Sequence, residues 1–420
     1  MYVIIILVIK LKYICIDLKT FYASVECVER NLDPFKTDLV VADIKRNKGA
    51  ICLAISPKMK ERGIKNRCRI YEIPKDVKPI IAKPRMKKYI EYSSKIYGIY
   101  LDYISKEDIH VYSIDEAFLD VTSYLKMYNL NEIELAKKII DDIKKRTGIT
   151  ATAGIGTNMY LAKVALDILS KHDKSNIGYL DEKLYKELLW DHTPLTDFWQ
   201  IGRGIQNRLY KHHIKTMREI ASCNPNILYK EFGIEAAYLI DHANGIEPTT
   251  IKEIKSYKPK STSISNSQIL FRNYNEKEAR VIISEMIDNL VLELVNKNLY
   301  VNNVSIYIML SNYEHISFSV NVNSTNSYKV ILDKVLNEYD YLVESNIIRR
   351  IGISFNDLSN KKYEQLDLFN NIGNNDYTLE KTMYNIKSKY GKNSILRCIS
   401  LDENATMRVR NNYIGGHNAK

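Results

Sequence analysis

At 420 residues, 45% hydrophobic and 26% charged, the chain has room for two to four globular domains and no bias toward disorder. Its formal net charge of +11 favours a polyanionic partner, and much of that charge is local: between residues 45 and 70 nine bases face one acid, Glu61. Six cysteines without a CxxC spacing argue against a disulfide scaffold or a structural zinc site and fit a reducing cytoplasm.

The opening "MYVIIILVI" is too short to span a bilayer and reads as an extra strand or an upstream start codon's addition, so no membrane partner is expected. "KYICIDLKTFYASVE" (12–26) begins as a buried strand and becomes a helix near Thr20. "TDLVVADI" (37–44) and "AICLAIS" (50–56) read as a hairpin around the basic turn "KRNKG", followed by a helical "PKMKERG" that stops at Gly63. Residues 84–104 have helical spacing. In "VYSIDEAFLDVT" (111–122) the β-forming residues predict a strand with Asp115 and Glu116 in mid-run, on opposite faces. A helix at 131–146 precedes "GITATAGIGTNMYLAKVALDILSKH", a strand turning at Gly154 and Gly156 into a helix. This interleaving predicts an α+β sheet with helices on one face. Short helices fill 183–246, and 251–265 reads as a linker. Residues 263–356 read as strand, helix, strand, strand, helix, strand, and a polar tail from 357 carries one apolar island, "QLDLF" (365–369).

The acids carry the chemistry. Asp17 ends an apolar strand, and a second strand bearing Asp115 and Glu116 can lie beside it. Three carboxylates a few ångströms apart resist ionisation unless a cation compensates them. An all-oxygen set without His or Cys selects Mg²⁺ or Mn²⁺ over zinc, the arrangement common in phosphoryl transfer.

"DLKTFYASVE", "YSIDEAFLD" and "AGIGTNMYLAK", in that order, resemble the Y-family (translesion) DNA polymerases, in the UmuC-like ImpB/MucB/SamB branch of Gram-positive bacteria. The likeness covers roughly residues 12–370. It implies a right-hand α+β fold: palm and fingers at 12–182 (fingers about 33–80), a helix-hairpin-helix thumb at 183–250, a little finger at 255–356, and a tail at 357–420. It also implies that Asp17 and Asp115 share two Mg²⁺ ions, with Glu116 beside them and Leu18 lending its backbone carbonyl. Phe21 and Tyr22 match the aromatic pair, with Tyr22 as the steric gate against a 2′-hydroxyl. Lys60 falls at the basic triphosphate contact, while Pro57 replaces the usual tyrosine. A further family lysine lies seven residues after Lys163, which here is Ser170; Lys171, one place on, takes the role.

"FWQIGRGIQNRLYKHHIKTMREI" resembles a helix-hairpin-helix in which Gly202 and Gly204 let backbone N–H groups approach a DNA phosphate, with His213 where glycine is usual. Lys255, Lys258, Lys260 and Arg272 are candidates for gripping the duplex backbone. Gln365, Leu366, Asp367, Leu368 and Phe369 match the pentapeptide that binds the bacterial sliding clamp, the β subunit of the replicative polymerase. The implied partners are primer-template DNA, dNTPs and that clamp. The implied activity is low-fidelity DNA synthesis in DNA repair and the SOS response, without proofreading since no segment is left for an exonuclease. Two rivals remain: a nucleotide cyclase, which needs no DNA-grip modules, and a catalytically silent damaged-DNA or clamp-binding protein of the same fold, which needs no intact carboxylate set.

Overall fold

The structure is a computed structural model that describes residues 11–44, 49–171, 173–259, 262–343, 346–360 and 372–420, with side chains from 377 onward in the last stretch. The apolar opening, Lys45, Arg46, Lys48, Lys260 and the island at 365–369 lie outside the described residues. Two compact units result, Met1–Tyr257 with Asn418–Lys420, and Lys258–His417.

The first unit is built on β1 (Tyr13–Leu18), which leads through a tight turn into α1 (Phe21–Val28). A small sheet follows, from β2 (Leu39–Val41), β3 (Ala54–Ile55) and, after α2 (Pro57–Glu61), β4 (Ile80–Ala82); β2 is its middle strand. Pro57 opens α2 where its missing N–H costs nothing, with Ser56 capping the turn. After α3 (Met86–Leu101) come β5 (Ile109–Val111), β6 (Glu116–Asp120), α4 (Tyr124–Tyr128), α5 (Glu132–Thr147) and β7 (Ala151–Gly156). Helix α6 (Met159–Val164) continues as a π-helical segment, Ala165–Ser170, before β8 (Ile177–Leu180).

The main sheet runs β5-β6-β1-β7-β8, with β1 antiparallel to both neighbours. Both faces of β1 are buried: Ile14 and Ile16 on one side, Tyr13 and Cys15 on the other. Helices therefore cover two faces rather than the single face expected. On the Ile14 side α5 packs on β7 and α3 on α5, with Lys12 reaching Glu132 at the start of α5. On the Cys15 side lies α6, seated on two glycines. A Cβ at Gly154 would fall 2.1 Å from the Ala162 carbonyl oxygen, and one at Gly156 2.3 Å from the Ala162 nitrogen. These glycines are thus strand residues that permit close helix approach, not turn residues. The turn is made by Thr157 and Asn158, whose Oδ1 accepts from the Leu161 N–H at 2.8 Å.

The stretch around Asp115 also differs from its sequence reading. It is a hairpin, not one strand: β5 and β6 pair antiparallel, and both Tyr112 and Ser113 N–H groups donate to the Glu116 carbonyl at 3.0 Å. Asp115 sits in the turn, fixed by Ser113 Oγ donating to its Oδ1 at 2.7 Å, and Glu116 opens the strand.

Helices α7 (Glu182–Leu188), α8 (Arg203–Lys211), α9 (Met217–Ser222), α10 (Pro225–Phe232) and α11 (Ala236–Ala243) share a core with Tyr160, Leu161 and Val164 of α6. The expected linker is ordered at its start: Thr250 caps α12 (Ile251–Ser256), and Ile251 packs with Tyr13, Cys15 and Phe118.

The second unit has the order expected: β9 (Ile264–Tyr274), α13 (Glu276–Lys297), β10 (Val301–Leu310), β11 (His315–Thr325), α14 (Tyr328–Leu342) and β12 (Ile348–Asn356), in an antiparallel sheet β11-β10-β12-β9. The polar stretch beyond 371 is more than a tail. It forms α15 (Ile372–Tyr390), which packs on α13, and α16 (Met407–Arg410). Composition hid this because the attachment is polar. Arg397 donates to Asp288 at 2.6 Å and also pairs with Glu380, and Glu285 accepts from the Thr406 and Met407 N–H groups at 2.8 and 2.9 Å.

Candidate active site

The β1–β6 pairing sets Asp17 opposite Glu116. Asp115, one residue earlier, offers its carbonyl to the Leu18 N–H at 3.0 Å, so Asp17, Leu18, Asp115 and Glu116 share one strand end. The backbone then turns through Thr20 at φ 47, ψ 46, a left-handed conformation costly for a β-branched residue. Ser24 stabilises that turn by donating to the Lys19 carbonyl at 2.7 Å. Its result is that Phe21 enters the core while Tyr22, half-buried, lies near Asp115.

The two aspartates strain each other. Burial, and then the Asp115 charge, push the Asp17 carboxyl up to about 7; the Lys171 charge works in the opposite sense. Among the described residues neither Asp17 nor Asp115 forms an ion pair. Glu116 is placed differently. Its Oε1 lies 2.7 Å from Lys163 Nζ and accepts from Cys15 Sγ at 3.3 Å, so it is drawn toward α6. Accordingly, no group of three His, Cys, Asp or Glu side chains among the described residues is gathered to hold a metal ion. The donor chemistry still fits a hard divalent cation at Asp17 and Asp115: two carboxylates, one of them raised above the usual carboxylate range by burial and by the other's charge.

Lysines border this pair. Burial lowers the Lys60 ammonium from its ordinary range, against the raising effect of Asp17, and Lys171 and Lys19 lower it further. Lys60, Lys171 and Lys19 therefore act on the same carboxylate. Ser170, the alternative to Lys171, is fully buried and donates to the Leu166 carbonyl at 2.7 Å. Lys171 is half-exposed and pairs with Asp167 at 2.8 Å, which pairs with Lys163 at 3.0 Å. The sequence reading missed this ladder of Glu116, Lys163, Asp167 and Lys171. Its signal was present: Lys163, Asp167 and Lys171 stand four apart.

Tyr22 is backed by stacking on Tyr89, with ring centroids 4.4 Å apart and planes inclined 16°. Tyr89 is itself anchored, its hydroxyl donating at 2.9 Å to the fully buried Glu26. Against the cost of burial, Arg85, Arg30 and Tyr89 hold Glu26 below the usual carboxylate range.

Away from the carboxylates, Gly202 caps α8 and Gly204 lies in its first turn, and a Cβ at either would meet nothing within 4 Å. His213 adopts φ 60 between α8 and α9, the conformation that glycine accommodates best. Of the four bases expected to grip DNA, Arg272 is committed to Glu278 at 2.8 and 2.9 Å, and Lys255 donates to the Lys106 carbonyl. Lys258 is exposed.

Comparison with known proteins gives the family and the fold. The impB/mucB/samB family matches residues 16–167, and that family's C-terminal domain matches residues 261–368. A Bacillus subtilis (strain 168) protein named "Putative UV-damage repair protein UvrX" is 31% identical over 412 residues, 96% of this chain and 97% of its own. The same organism's "DNA polymerase IV 2" is 29% identical over 416 residues, covering 96% and 97%. "DNA polymerase IV" of Clostridium acetobutylicum is 29% identical over 400 residues, covering 92% and 98%. Among solved structures, a "Y-family DNA polymerase chimera Dbh-Dpo4(243-245)-Dbh" has the same fold, with TM-score 0.63, 24% identity, and coverage of 83% of this chain and 99% of its own. An "Insertion ternary complex of Dbh DNA polymerase" aligns with TM-score 0.53 at 24% identity and the same coverage. With relatives matched along nearly their whole length, the chain belongs to the impB/mucB/samB family of Y-family translesion DNA polymerases.

Proposed function

We propose that this chain is a template-directed DNA polymerase that copies damaged templates, adding nucleotides at the site formed by Asp17, Asp115 and Glu116. The observation that carries the reading is the Asp17–Asp115 set, without an ion pair among the described residues, with Lys60 and Lys171 acting on it and Tyr22 beside it. Y-family polymerases are nucleotidyltransferases that use divalent metals, and here Mg²⁺ is the ion that the oxygen donors suit. When bound, two such ions supply Lewis acidity to the primer 3′-hydroxyl and charge neutralisation to the triphosphate and departing pyrophosphate.

The chain's own residues supply the rest. Asp17 and Asp115 would hold the cations, with the Leu18 carbonyl nearby, and Glu116 would complete the set if released from Lys163. Lys60 and Lys171 take the triphosphate charge. Tyr22, rigid on Tyr89, lies under the sugar and excludes a 2′-hydroxyl. In this reading residues 12–182 are palm and fingers, 183–250 the thumb whose Gly202 and Gly204 N–H groups meet a DNA phosphate, and 255–356 the little finger. The pentapeptide at 365–369 docks on the sliding clamp, which raises the local concentration of the enzyme at the primer end. The cytoplasm is the matching compartment; no helix among the described residues is long and apolar enough to cross a membrane. A catalytically silent damage-binding protein is disfavoured because it has no need of the intact acids.

Primer extension with Mg²⁺ on undamaged and lesion-bearing templates tests the reading, with Asp115→Asn as control. Extension past the lesion without trimming of mismatched ends supports it. No extension by a folded, DNA-binding protein overturns it.

A further inference from the structure

Helix α6 does not run on as a regular α-helix: from Ala165 to Ser170 its bonds are of the i→i+5 kind. Such segments are rare, and they are frequent at functional sites. The sheet beneath offers a packing reason for the wider coil. A Cβ at Gly178 would lie 2.5 Å from the Ala165 carbonyl oxygen and 3.0 Å from the Ser170 nitrogen. Packing alone, however, does not explain where Lys171 ends up.

An α-helix advances about 100° per residue, so eight residues beyond Lys163 a side chain points roughly 80° away from it. Through six residues of π-helix, at about 4.4 residues per turn, the same eight steps return to within roughly 30° of the Lys163 direction. The side chains agree with this geometry. Lys163 and Lys171 both reach one carboxylate, Asp167, at 3.0 and 2.8 Å, while Ser170 is turned inward and fully buried.

We propose that the π-helical segment Ala165–Ser170 is a register device that turns Lys171, in place of Ser170, onto the face bordering Asp17, with Asp167 as the positioning residue that holds its ammonium until an incoming nucleoside triphosphate takes it. The inference rests on the polymerase reading. The Asp167–Lys171 pair is half-exposed, and pairs of that kind are weak enough to exchange for a polyphosphate. Asp167 stays neutralised by Lys163 when Lys171 leaves, so the exchange strands no buried charge.

The test begins on the unaltered protein, by acetylation of lysine amines with and without primer-template and a non-hydrolysable dNTP. Lys171 is accessible, and its labelling falls about fivefold or more when the nucleotide binds; unchanged labelling overturns the proposal. Lys171→Ala lowers kcat/KM for dNTP about tenfold or more, chiefly through KM. Placing the charge elsewhere on the same helix, with Ile168→Lys in the Lys171→Ala background, leaves that loss unrepaired, and recovery there overturns the register argument. Deletion of Ser170 straightens the helix and puts the lysine seven residues after Lys163, so a folded deletion variant keeps kcat/KM within about threefold. A folded deletion variant as impaired as Lys171→Ala also overturns it. If the unaltered protein extends no primer, the polymerase reading has failed instead, and the labelling experiment still reports on Lys171.

Discussion

Lys163 Nζ lies 2.7 Å from Glu116 Oε1 with both side chains nearly buried, at 9% and 10% exposure, so one of the three acids is held by the helix behind the sheet. Burial works against the Lys163 charge, but the neighbouring anions outweigh it and raise its pKa. Lys163→Met therefore leaves a buried carboxylate without its cation. It should destabilise the protein by about 3 kcal/mol in denaturant unfolding, and adding Glu116→Gln should recover part of that loss. Equal stability of Lys163→Met and the parent would mean that the pair is not formed in solution.

Asp115→Asn keeps the shape and removes a charge. Primer extension should fall by about three orders of magnitude or more, while melting temperature and primer-template affinity stay near those of the parent. Near-normal extension would move the chemistry elsewhere.

Asp17 gives a pH signature in the absence of divalent cations. Its folded value of about 7 lies above its ordinary 3.8, so the folded state binds the proton more tightly than the unfolded one. The penalty is absent below about pH 4 and grows as pH rises to about 7, reaching at most about 4 kcal/mol for the ionised group. Asp17→Asn should thus raise the melting temperature at pH 8 and change it little at pH 4. A stabilisation independent of pH would refute the burial argument.

Tyr22→Ala removes the ring stacked on Tyr89. Ribonucleotide incorporation relative to deoxyribonucleotide should rise by about tenfold or more, since steric exclusion is lost while the lysines remain. An unaltered ratio in single-nucleotide insertion assays would place the gate on another residue.

Leu368→Ala combined with Phe369→Ala should abolish stimulation by the sliding clamp and leave clamp-free extension intact, because two apolar anchors carry most of such a contact. Parallel loss of both activities would make the segment structural.

The sequence by itself determined where the candidate acids fall and the element order of the second unit. Asp17 at a strand end, the acid pair at 115 and 116, and the alternation through 264–356 are local patterns, and local patterns survive without knowledge of packing. Tertiary structure decided what each residue meets. Gly154 and Gly156 read as turn formers until α6 is seen lying against them, because only a neighbouring backbone shows that a Cβ has no room. Asp115 and Glu116, adjacent in sequence, part company at the hairpin, one in the turn and the other tied to Lys163. The stretch beyond 371 looked like solvated tail because buried ion pairs such as Arg397 with Asp288 have the composition of a surface. That α6 continues as a π-helical segment, Ala165–Ser170, was likewise left to the tertiary structure, because this hydrogen-bond register has no residue signature of its own.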